Sequence, residues 1–137
     1  NKQRRRRQAA LFDMQSGIIR LIDPRGVWGN GVYGDIKYDV AKLRHSIHGL
    51  YDFIAHDMYQ VDVDGSKINY IIYSEPRCME LAHYFDEKLQ EWFSLNQIKM
   101  IEGLLFLSMI PLHGDNKKRQ LVMYAKAIEL LNEVVSV

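Results

Sequence analysis

The chain has 137 residues, of which 47% are hydrophobic and 26% charged. That balance suits one folded domain or one lobe of a larger protein, and it excludes wholesale disorder, collagen and a coiled-coil rod. The formal net charge of +1 conceals an asymmetry. Lys2 and Arg4 to Arg7 make residues 1–10 a basic arm with no acid, leaving 13 basic against 17 acidic side chains in residues 11–137. The arm reads as a solvated, flexible end. It holds no aromatic residue to stack on bases, so RNA binding through the arginine run stands as a lesser alternative, and nucleic acid is not an expected partner. The lone cysteine, Cys78, permits no internal disulfide, which favours a reducing, cytoplasmic setting. No apolar run of about 18 residues is visible, so no membrane span is expected. The first residue is Asn1 rather than Met, and the chain reads as a fragment.

In chain order, residues 11–23 suggest a short hairpin turning at Met14 to Gly17, its second arm the β-branched run Ile18 to Ile22. Residues 24–35 hold Pro24, Gly26, Gly29, Gly31 and Gly34, an irregular loop suited to close approach by a ligand or another backbone. Helical spacing takes over across 36–56, with Val40, Leu43, Ile47, Leu50 and Ile54 as its apolar stripe and Asp35 or Asp39 as its cap. A second hairpin spans Tyr59 to Tyr73, with Asp64-Gly65 at its turn. Pro76 opens a helix over 77–93, and Asn96 caps another over 97–110 that Pro111 stops. The segment Gly103 to Leu112 is apolar nearly all round and is expected at the buried centre. A last helix over about 116–134, capped by Asp115 or Asn116, carries Leu121, Tyr124, Ala125, Ile128 and Leu131 on one face. The fold class is mainly α (α+β), with two short β-hairpins.

The segment with most chemical content is Ile22-Asp23-Pro24-Arg25-Gly26, a carboxylate at a strand end leading into a flexible loop. Such an acid is well placed to hold a divalent cation against phosphates. Twelve residues on, Gly34-Asp35-Ile36-Lys37-Tyr38-Asp39 forms a loop-to-helix junction with two acids.

The strings LIDPRG, YGDIKYDVAKLRHSIHGLYDFI and LLFLSMIPLH together resemble the C-terminal lobe of protein-kinase-like small-molecule phosphotransferases. That group holds the aminoglycoside phosphotransferases and choline kinases, and the nearer branch accompanies bacterial capsular or surface polysaccharide biosynthesis. The resemblance runs from about Leu11 to Leu131. It implies the helical C-terminal lobe of the kinase-like fold, with residues 11–137 as that lobe and the N-terminal lobe absent. It implies ATP and Mg2+ as cofactors, a small hydroxyl compound or sugar as acceptor, and self-association through the exposed lobe interface as a further expectation. Asp23 corresponds to the metal-binding acid of the family, Asp35 and Asp39 to an acid pair that braces loop and helix, and Arg25 to a group that contacts a phosphate or substrate anion, or pairs with Asp35 or Asp39.

The departure from the family is equally plain. Its catalytic loop, His-Gly-Asp-x-x-x-x-Asn, precedes the hairpin, and here those slots fall on Lys2, Gln3, Arg4 and Ala9. A permanently protonated arginine is no base and alanine no metal ligand. No catalytic residue is therefore assigned, and the chain as given is expected to be inactive. A non-catalytic kinase-like binding module is the alternative. His113-Gly114-Asp115 imitates the missing loop but follows the metal-binding acid and has Gln120 in the Asn slot, so it reads as a structural turn. His45 and His48, three apart with Asp52 one turn on, are more readily packing residues than metal ligands.

Overall fold

A computed structural model describes residues 10–12, 15–21 and 34–136. The chain divides into two compact units, Asn1–Gly34 and Asp35–Val137.

In the first unit, β1 (Ala10–Phe12) and β2 (Ile19–Leu21) pair antiparallel, with Ala10 opposite Leu21 and Phe12 opposite Ile19. Gly17, at φ +68°, takes the left-handed backbone that the tight connection requires. The hairpin expected from the β-branched run is present, and its strands are three residues each.

The second unit is a helical assembly with one hairpin on its flank. Its elements are α1 (Ile36–Ile47), α2 (Tyr51–Ala55), β3 (Tyr59–Asp64), β4 (Lys67–Ile72), α3 (Pro76–Gln90) and α4 (Leu95–Met109). A 3-10 turn, Ile110–His113, then leads into α5 (Lys117–Val135). The mainly helical α+β class and the two hairpins agree with the sequence reading. Helix α4 is the hub, packed against α1, α3 and α5. Gly103 lets α5 come close, since a Cβ there would lie 2.9 Å from Leu131 Cγ and 3.4 Å from the Ala127 carbonyl oxygen.

Two apolar clusters hold this unit together. Ile54 and Phe106 pack with Val122, Met123, Ala127 and Leu130 of α5. Ala41, Leu89, Ile98 and Leu105 form the second, at the meeting of α1, α3 and α4. The β3–β4 hairpin leans on the first cluster through alternate residues, Tyr59 and Val61 facing Ile72 and Tyr70 across the strands. That alternation is what a pleated, half-covered ribbon demands. Asp64 pairs with Lys67, so the connecting residues are Gly65 and Ser66, one position later than expected, with Gly65 at φ +57°.

Several expectations are corrected. The helix foreseen over 36–56 breaks at His48, Gly49 and Leu50, with Leu50 at φ +54°. A Cβ on Gly49 would lie 2.6 Å from the His45 carbonyl oxygen, 2.7 Å from Glu102 Oε1 and 2.9 Å from Phe106 Cε2, so the break is where α4 presses against the chain. The buried face of α1 is Ala41, Arg44 and His45 rather than the apolar stripe, and Leu43 is 47% exposed. Helix α4 starts at Leu95 with Ser94 as its cap residue, placing Asn96 inside the helix. That start turns Ile98 into the second cluster. The apolar segment is buried only in part: Gly103, Leu105 and Phe106 are inside, whereas Leu104 is 54% exposed and Leu112 70%. Helix α5 buries Arg119, Val122, Met123, Ala127 and Leu130, a face rotated from the predicted one; Tyr124 is 46% exposed.

Leu95–His113 forms a 19-residue helical stretch of mean hydropathy 1.2, long and apolar enough by those measures alone to cross a membrane. The sequence reading expects no run of that length; Lys99 and Glu102 lie within the stretch. Glu102 within it is wholly buried and ion-paired, and 28% of the stretch is buried inside the protein.

Candidate functional site: the junction at Asp35 and its buried brace

Two of the four residues singled out from sequence, Asp23 and Arg25, lie outside the described residues. The other two, Asp35 and Asp39, sit at the first turn of α1. Asp35 is extended (φ −74°, ψ 123°), and its Oδ1 accepts the Lys37 backbone N–H at 2.9 Å. This satisfies one of the donors that a helix start leaves unpaired. Asp39, one turn on and exposed, adds a second negative charge near the positive end of the helix dipole. The capping role expected of this acid pair is therefore what Asp35 performs.

What holds α1 in place lies at its other end. Arg44, wholly buried, directs Nε and Nη2 onto the two oxygens of Asp86 in α3, both at 2.8 Å. Its Nη1 donates to Glu102 Oε2 in α4. One planar guanidinium thus ties three helices, a geometry that lysine cannot reproduce. Burial alone lowers the Arg44 pKa, but Asp86 and Glu102 outweigh it and hold the guanidinium charged above its ordinary value. Burial pushes the Glu102 carboxyl up, against the pull of Arg44. Glu102 Oε1 receives no hydrogen bond among the described residues and faces the Gly49 backbone.

Two histidines line the same turn. The His45 ring stacks on Tyr51, centroids 4.6 Å apart, and meets the Phe106 ring at 4.0 Å. Burial, with the nearby charge of Lys42, lowers its pKa to about 3. His48 sets Nε2 3.6 Å from Asp86 Oδ2; burial, then the charge of Arg44, lowers its pKa to about 4. Both rings are neutral at pH 7. His45 serves the packing role expected of it, and among the described residues no group of three His, Cys, Asp or Glu side chains could hold a metal ion.

A second polar knot gathers at the connection into α5. Arg119 spans both oxygens of Asp57, with Nε to Oδ1 at 3.0 Å and Nη2 to Oδ2 at 2.7 Å, and reaches Asp115 at 3.2 Å. Asp57 takes the left-handed backbone (φ 61°), tolerated by aspartate better than by most residues. Asn116 caps α5 by accepting the Arg119 N–H at 3.1 Å, and its amide donates to Asp57 at 3.0 Å. His113 is 1% exposed, with Nδ1 3.3 Å from Arg119 Nη1 and Nε2 3.2 Å from the Tyr51 hydroxyl. His113-Gly114-Asp115 is thus a structural turn, as read from its position.

Sequence reasoning missed Arg44, Asp86, Glu102 and Arg119, the residues that carry most of the buried polar contacts. One signal for Glu102 was available, a lone acid beside the apolar run that starts at Gly103. Such an acid, facing the core, calls for a buried cation. Chemically, the described residues make a frame of charge-assisted hydrogen bonds, neutral histidines and a capped helix start at Asp35.

The described fold is thus a mainly helical α+β protein whose second unit is cross-braced by two arginines. No protein-family model, curated protein or solved structure matches the chain.

Proposed function

We propose that the chain is the C-terminal, substrate-binding lobe of a kinase-like phosphotransferase that moves the ATP γ-phosphate to a hydroxyl of a small molecule or sugar, in surface polysaccharide biosynthesis. Asp23 would hold Mg2+ against the nucleotide phosphates, supplying charge neutralisation. Arg25 would contact a phosphate or substrate anion. The observation that carries the reading is the acid-capped helix start at Asp35, twelve residues after Asp23 of the LIDPRG string.

With Arg4 and Ala9 in the slots for the base and the second metal ligand, this chain by itself transfers no phosphate. Its measurable property is binding. Calorimetric titration with Mg2+ and ATP should show binding that Asp23→Ala abolishes. Equal binding by chain and variant, or none by either, overturns the assignment of Asp23. In the latter case the non-catalytic module is favoured.

A further inference from the structure

We draw no further inference here: the strongest candidate, the open apolar groove where the end of α4 meets the start of α5 beside Ile110, Leu121 and Tyr124, carries nothing because nothing in the structure shows what covers it.

Discussion

Arg44 shows how one side chain sets the energetics of its surroundings. Its guanidinium and the Glu102 carboxylate are both wholly buried, and Asp86 is half-buried at 14% exposure. Deleting one partner of such a pair strands the other charge in a medium that solvates it poorly, at a cost of about 3–5 kcal/mol. Arg44→Met should therefore lower stability by roughly that amount, read from urea unfolding. Adding Glu102→Leu and Asp86→Leu to it should recover part of the loss, because the stranded carboxylates are gone. A triple variant no more stable than Arg44→Met would mean the loss is one of packing, not charge. Gly49 offers a second test at the same scale. A methyl group there meets the His45 backbone oxygen and the Glu102 carboxylate within 2.7 Å, and the backbone oxygen cannot swing away. Gly49→Ala should cost about 1–3 kcal/mol as overpacking, while Gly65→Ala, with open space around it, should show only the backbone cost of its positive φ.

At the scale of elements, the turn joining α1 to α2 is an acid-sensitive joint. His45 and His48 have folded-state pKa values of about 3 and about 4, below the ordinary value of 6.5. Above pH 6.5 both rings are neutral whether the chain is folded or not, and their contribution to stability is complete. As the pH falls below 6.5 the unfolded chain takes up two protons that the folded chain refuses. Stability therefore declines until about pH 4 for His48 and about pH 3 for His45. Urea midpoints should fall between pH 7.5 and pH 5, and His45→Phe, which keeps a ring between Tyr51 and Phe106, should fall less steeply. Parallel slopes for the two proteins would refute the assignment to His45.

The same elements show what a sequence can disclose. Tyr59 to Ile72 announced its hairpin because β-branched and aromatic residues alternate around a glycine turn, a pattern decided locally. The helices were legible for a similar reason, through Pro76 and the cap at Asp35. Their faces were not. On α1 the stripe through Val40, Leu43 and Ile47 looked inward on hydrophobicity alone, yet the helix turns Ala41, Arg44 and His45 to the core. Each compensates through something distant in sequence: Ala41 by close packing, Arg44 by carboxylates 42 and 58 residues away. Helix α5 was misjudged likewise, because Ala127 gains its place from Gly103 on α4. Of the candidate site, the cap was legible from spacing, whereas the arginine brace depends on tertiary partners that spacing cannot reveal.

For the whole molecule, the division at Gly34 has a direct consequence. The second unit contains both apolar clusters, both arginine knots and the Asp35 cap. Residues 34–137 should therefore fold without the rest, giving the helical circular dichroism expected of five α-helices and a cooperative thermal transition. A fragment that stays unfolded, or melts without cooperativity, would show that the second unit depends on residues before Gly34.

The contact between Arg119 and His113 carries a sense of direction. A guanidinium has only hydrogens to offer, so His113 Nδ1 must present its lone pair, and the ring hydrogen resides on Nε2. The Tyr51 oxygen, 3.2 Å beyond, is then the acceptor. Polarisation runs one way along this relay, from the first turn of α5 through an imidazole to a phenol on α2. Turning the ring over would set carbon against both partners at once, so the imidazole is held in one tautomer and one pose by neighbours on either side.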